Sequence, residues 1–147
     1  MINHLIGFHP SFSALVLRLV LGIVFIAHGY PKLFKKDFGP KGFSGFLQTI
    51  GVPAPLFFAY VVGIVEFFGG LLLIIGLGTR LAALFIAMSL LVAIWKVKFK
   101  TGLVSRVMEG GWVGGYELDL ALLAMAFVLV ILGSGKFSFD FIVLHEW

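Results

Sequence analysis

Arg18, His28, Lys32, Glu66 and Glu117 are the residues whose chemistry is most out of place in this chain. Glu66 sits in the middle of one long apolar run, and Arg18 sits inside another. A lone carboxylate at a bilayer midplane costs ~2.5–3.5 kcal/mol on insertion scales, so it must be protonated or paired. Arg18 lies five residues from the centre of its run, or ~7–8 Å at 1.5 Å per residue. Its side chain is long enough to cover that gap. The spacing therefore predicts an Arg18–Glu66 contact, with His28 on the flank of the same cavity. Such a pair either fixes helix register or serves as a substrate or proton site, since an intramembrane ionisable group is a functional candidate by default. His28, Lys32 and Glu117 all fall toward one end of their runs, where they would form a polar mouth above Glu66. Glu117 and Asp119 also suit the first turn of a helix, where acids complement the dipole. Pro31 removes the helical bond to the Ala27 carbonyl, next to His28. No residue is assigned a catalytic role.

The elements that must position these groups follow from composition. Of 147 residues, 61% are hydrophobic and 12% are charged, about half the usual ~25% charged share. Mean hydropathy is +1.12. Too little polar surface exists to cover a water-soluble domain, and a disordered chain is excluded by the abundance of hydrophobes. Four apolar runs, at about 12–34, 55–77, 81–97 and 116–133, approach the ~20 residues of a transmembrane helix. The third reads as the shortest, uncharged only from Leu81 to Trp95, with Lys96 placed to snorkel. The ~10-residue alternation of a membrane barrel is missing. Residues 1–147 thus read as one all-α integral membrane domain, a four-transmembrane-helix bundle. In the first loop, Phe43, Phe46, Leu47 and Ile50 fall at i, i+3, i+4 and i+7, and Gly51 and Pro53 follow. A short interfacial amphipathic helix is expected over about 43–50. It either covers the bundle end or gates ligand entry. Small residues share faces with the polar ones: Gly22 and Gly29 with Arg18 and Lys32, Gly63 and Gly70 with Glu66, and Ala121 and Ala124 with Glu117. Such faces let membrane helices approach closely and should point inward.

The net charge of +4 is placed unevenly. Lys32, Lys35, Lys36, Lys41, Lys96, Lys98, Lys100 and Arg106 belong to the first and third loops, while Arg80 and Lys136 lie toward the other side. The positive-inside rule makes the lysine-rich side cytoplasmic, with both termini outside. Tyr30, Tyr60, Trp95, Trp112 and Tyr116 lie toward the same lysine-rich side. The basic charge is a membrane-surface feature, and no nucleic-acid partner is expected. No Lys or Arg precedes the first apolar run and no A-x-A site follows it, so that run is expected to stay in the mature protein. With no cysteine, thiolate metal sites, Fe–S clusters and CxxC redox chemistry are excluded. Gly133-Ser134-Gly135-Lys136 lacks the preceding strand and the earlier glycine of a phosphate loop; it reads as a helix stop. No metal site is expected; His4, His9, His145 and Glu146 are the one terminal grouping that could hold a metal.

Taken together, Arg18-Leu-Val-Leu-Gly22, His28-Gly29-Tyr-Pro-Lys32-Leu33-Phe34, Glu66-Phe-Phe-Gly69-Gly70 through Gly76, Thr79-Arg80, Tyr116-Glu117 and Gly133-Ser-Gly135-Lys136-Phe-Ser138-Phe-Asp140 resemble the DoxX family of small four-span membrane proteins. Ser134 and Lys136 depart from that family's usual Gly-Pro-Gly-Arg. The resemblance implies a four-helix bundle in the cytoplasmic membrane. It ties the chain to thiosulfate:quinone oxidoreductase, in which similar chains act as a membrane subunit, and to oxidant and quinone stress, sometimes beside soluble redox partners.

Two functions follow as expectations. The first is a membrane subunit of a quinone-linked redox complex, not catalytic alone, that holds a quinone-like ring in a polar-lined cavity. Arg18, His28, Lys32, Glu66 and Glu117 would bind it, an oxidoreductase subunit (soluble or membrane-bound) would supply electrons, and no covalent cofactor is involved. The second is a non-catalytic carrier, exporter or scaffold for small apolar compounds or partner proteins. Homo-oligomerisation through the small-residue faces fits either.

Overall fold

The computed structural model describes residues 10–108 and 111–144. Its helices are α1 (Pro10–Phe34), α2 (Gly39–Thr49), α3 (Pro55–Ile75), α4 (Thr79–Ala93), α5 (Glu117–Leu132) and α6 (Phe139–Leu144). A short antiparallel hairpin, β1 (Arg106–Met108) and β2 (Gly111–Val113), stands between α4 and α5.

Among the described residues, three helices are long and apolar enough to cross a membrane: Pro10–Phe34, Pro55–Ile75 and Thr79–Thr101. The third reaches that length because α4 continues through a wide π-type turn, Ile94–Lys98, and a tight 3₁₀ turn, Phe99–Thr101. This reverses one expectation. The third apolar run is not the shortest, because Lys96, Lys98 and Lys100 ride on continuing helix rather than ending it. The shortest is α5, whose 16 residues give ~24 Å at 1.5 Å per residue, short of a ~30 Å hydrocarbon core.

α1 and α3 pack antiparallel, and their backbones approach closely at glycines. A Cβ on Gly22 would stand 2.7 Å from the Gly70 carbonyl, one on Gly70 would stand 2.7 Å from the Gly22 carbonyl, and one on Gly29 would meet the Phe67 backbone nitrogen at 2.4 Å. Small residues therefore set the helix spacing, the usual device where lipid offers no hydrophobic drive for association. The core joins this pair to α4 and α5 through Leu21, Phe25, Leu73, Ile86, Leu90, Leu122, Leu123 and Leu129, with Ala83, Ala87 and Ala126 filling the closest approaches. The outward surface is apolar too: Ile23 is 60% exposed, Leu81 63% and Ile131 73%. A bundle apolar on both faces is built for lipid, and the chain is an all-helical membrane protein apart from its hairpin.

α2 starts at Gly39-Pro40, earlier than its apolar stripe suggests, with Pro in the first turn where its missing N–H costs nothing. Phe43 and Leu47 bury against Ala59 and Val62 of α3, and Ile50 joins them. Phe46 stays exposed, stacked on Phe43 at 6.1 Å. The helix thus covers one end of the α1–α3 pair.

α3 ends at Gly76 in the left-handed region (φ 75°), which carries the Gly76 and Leu77 N–H groups back to the Leu72 carbonyl. The start of α1, the α3–α4 turn and residues 134–140 gather at that end of the bundle. The end of α1, α2, the turns after α4 and the hairpin belong to the other.

Candidate functional site

Lys32 and Glu66 form the most enclosed ion pair among the described residues. Lys32 Nζ donates to Glu66 Oε1 at 2.6 Å and to Oε2 at 2.5 Å. The Glu66 side chain is 8% exposed and that of Lys32 18%. Gly63 permits the contact: its missing side chain leaves room for Lys32 and Leu33 against α3, and Glu66 lies one turn further along. The ammonium also sits 4.7 Å from the centre of the Phe43 ring, so α2 roofs the pair with an aromatic face. On the two helices that carry the pair, Tyr30, Phe34 and Phe67 form a ring cluster, with Phe34 edge-on to Phe67 at 5.0 Å and Tyr30 6.4 Å from Phe67; Tyr30 and Phe34 are exposed. A carboxylate bridged this way has its partner in place, as an acid within a membrane helix requires.

Arg18 does not take part, and the expected Arg18–Glu66 contact is overturned. Arg18 is 1% exposed. Its Nε donates to the Leu73 carbonyl at 3.0 Å, Nη1 to the Ser134 carbonyl at 2.5 Å and Nη2 to the Phe137 carbonyl at 2.8 Å. The reason is directional. Helical side chains lean toward their own N-terminus, and α1 and α3 run antiparallel. Arg18 therefore leans toward the start of α1, while Glu66 leans the opposite way, toward the start of α3. Leu73 sits in the last turn of α3, where the terminal carbonyls lack helical partners; Arg18 supplies one. The guanidinium locks the segment after α5 onto the α3–α4 turn.

His28 is likewise not on a cavity flank. It is exposed on the outside of α1, while the buried face follows Arg18, Leu21, Gly22, Phe25 and Gly29. Glu117 is exposed as well, and its Oε2 accepts the Ser105 N–H at 2.7 Å. It closes the base of the hairpin loop rather than a polar mouth with His28. Asp119 does more than complement a helix dipole: Lys98, carried inward by the π-type turn, meets its Oδ2 at 2.5 Å, tying α4 to α5. The terminal grouping of His4, His9, His145 and Glu146 lies outside the described residues.

Sequence spacing gave no site to Asp140, yet it holds the N-terminus of α4. Its Oδ1 accepts the Gly78 N–H at 2.7 Å and its Oδ2 the Thr79 N–H at 3.0 Å. Its own N–H reaches the Gly76 carbonyl. Ser138 makes a local cap, taking the Phe141 N–H and donating to the Gly135 carbonyl. The available signal was the Ser138-Phe-Asp140 pattern directly after a glycine stop. Asp140→Ala is expected to cost about 1–2 kcal/mol, the price of a lost helix cap. Thermal unfolding in detergent checks this, and Asp140→Asn should recover part of the loss.

A groove of about 570 Å³ runs along α3 and α4, lined by Ile64, Phe68, Leu72, Leu81 and Phe85, with Asp140 at its edge. It is apolar, and none of the five expected site residues lines it.

The DoxX family matches this chain over residues 13–98. A Bacillus subtilis (strain 168) protein named "Putative oxidoreductase CatD" is 34% identical over 128 residues, 87% of this chain and 84% of that one. The "Uncharacterized membrane protein Rv3486" of Mycobacterium tuberculosis is 33% identical over 138 residues, covering 87% and 79%. The "Inner membrane protein YqjF" of Escherichia coli (strain K12) is 30% identical over 137 residues, covering 92% and 95%. No solved structure matches the chain. The matched segment runs from α1 to the π-type turn after α4 and so contains both Arg18 and the Lys32–Glu66 pair. The chain is a membrane protein and belongs to the DoxX family.

Proposed function

We propose that the chain is a membrane subunit of a quinone-linked redox system, inert alone, and that Lys32–Glu66 is the polar end of its ligand site. It crosses the cytoplasmic membrane four times, with α5 as the fourth span, the lysine-rich end in the cytoplasm and both termini outside. The observation that carries this reading is the enclosed ion pair under the Phe43 ring. A quinone needs a hydrogen-bond donor at a carbonyl oxygen and flat apolar surfaces for its ring. The Lys32 ammonium has three N–H donors, of which two go to Glu66; Phe43 supplies a ring at the pair, and Tyr30, Phe34 and Phe67 add a ring cluster on the two helices that carry it. These residues suit one carbonyl of a quinone-type ring. Arg18 and His28 do not converge on a second one. The chain has no cysteine to carry electrons, so they come from a partner oxidoreductase. The relative named as an oxidoreductase agrees with this reading.

Organic extraction of purified protein tests it. Wild type is expected to yield quinone or quinol in proportion to protein, and Lys32→Met/Glu66→Gln to yield none. A wild-type extract without either compound, or an equal yield from the double variant, would count against it. The single variant Lys32→Met is expected to be worse folded than the double one. It strands a buried carboxylate, and breaking a buried pair costs about 3–5 kcal/mol, whereas removing both charges is close to neutral.

A further inference from the structure

The hairpin offers a surface that the ligand site does not use. Among the described residues of this loop, Leu103 is 47% exposed, Val104 65% and Val107 72%. On the helix end beneath it, Trp95 is 70% and Phe99 66% exposed. The loop is held in this shape. Tyr116 and Glu117 donate their N–H groups to the Gly102 and Leu103 carbonyls. Ser105 N–H meets Glu117, Gly115 N–H meets Ser105 Oγ, and Arg106 Nη2 reaches the Thr101 carbonyl. Valines displayed at such exposure on a fastened loop need something apolar to cover them.

The same surface is basic. Lys96, Lys100 and Arg106 are exposed, and Lys96 Nζ lies 4.7 Å from the Trp95 ring centre. Exposed Lys35, Lys36 and Lys41 stand at the same end of the bundle. Asp119 is taken by Lys98 and Glu117 by Ser105; Asp37 is an exposed acid beside Lys35 and Lys36.

We propose that the hairpin dips into the headgroup layer of its own leaflet and selects anionic phospholipid. The tether decides in favour of lipid over an acidic protein. Each hairpin arm is three residues, ~10 Å at a strand's rise. Residues 102–105 and 114–115 join the arms to Thr101 and Tyr116 and are fastened at the start of α5 by the Tyr116, Glu117, Ser105 and Gly115 hydrogen bonds, so only the short arms extend beyond that base. At that depth the valines meet upper acyl chains and the cations meet phosphates. Trp95, Phe99 and Tyr116, with Phe99 stacked on Tyr116 at 6.3 Å, form the aromatic belt usual at this level. A lysine or arginine near an anionic surface favours the bound state by roughly fivefold each.

The absence of cysteine makes site-directed spin labelling direct. Val107→Cys is labelled with a nitroxide in nanodiscs of phosphatidylglycerol or of phosphatidylcholine, with Ile23→Cys as the lipid-immersed reference. Access to oxygen and to a water-soluble nickel complex is then measured. The label is expected to be shielded from nickel in the anionic discs and to gain nickel access several-fold in the zwitterionic ones. Adding Lys96→Gln, Lys100→Gln and Arg106→Gln should produce the same gain in anionic discs, and an unchanged circular dichroism spectrum checks the fold. A label open to nickel in both lipids, as a free protein-docking face would be, overturns the proposal. So does a label shielded equally in both.

Discussion

Arg18→Ala is expected to prevent stable folding. Arg18 fills a site 1% exposed and satisfies three backbone carbonyls from two distant segments. Each buried polar group left unpaired costs about 1–3 kcal/mol, and within a membrane no water replaces the lost donor. A loss of about 3 kcal/mol or more is a large part of the ~5–15 kcal/mol that keeps an ordinary domain folded. Arg18→Met, which keeps bulk and removes the donors, should fail almost as badly. Arg18→Lys should be intermediate, because an ammonium cannot match a planar fork aimed at three acceptors. Size-exclusion profile and thermal midpoint in detergent report all three. A ligand-binding role without a structural one predicts a normal midpoint for Arg18→Met.

Gly29→Ala is expected to force α1 and α3 apart. The new Cβ would stand 2.4 Å from the Phe67 nitrogen and 2.8 Å from its Cα, both backbone atoms that cannot rotate away. Overpacking a fixed contact costs about 1–3 kcal/mol even where side chains can adjust; here the loss should lie at or beyond the upper figure. Lys32 is one turn from Gly29, so the Lys32–Glu66 pair should loosen with the helices. Gly45→Ala is the matched control. It sits inside α2 with nothing within 4 Å of the added Cβ, and replacing glycine in a helix should stabilise by roughly 0.5–1 kcal/mol. Opposite signs for two Gly→Ala changes, read as thermal midpoints, would tie the effect to the helix crossing.

Those glycines also explain what the sequence could and could not reveal. The apolar runs marked α1, α3, α4 and α5, and the i, i+3, i+4, i+7 pattern from Phe43 marked α2. The charged contacts were harder. Placing Arg18 opposite Glu66 used distances from the run centres and ignored the lean of helical side chains. The pairing was legible in the glycines: Gly22 and Gly29 are seven apart, as are Gly63 and Gly70. Antiparallel packing sets Gly22 on Gly70, Gly29 on Phe67 and Gly63 on Leu33, which brings Lys32 into reach of Glu66. The π-type turn that delivers Lys98 to Asp119 left no mark, because its residues look like any basic helix end. The hairpin was hidden by length: three residues per strand are too few for alternation to register. Asp140 was hidden by distance, since its partners are about sixty residues earlier in the chain.

The division of labour between Arg18 and Lys32 rests most directly on ligand affinity in Lys32→Met/Glu66→Gln, a variant expected to fold. A water-soluble quinone analogue is titrated into the purified protein, and quenching of tryptophan fluorescence is followed. With the thermal midpoint preserved, affinity should fall at least about tenfold, the equivalent of one charge-assisted hydrogen bond. An unchanged Kd in a folded double variant would contradict a ligand site at Lys32–Glu66.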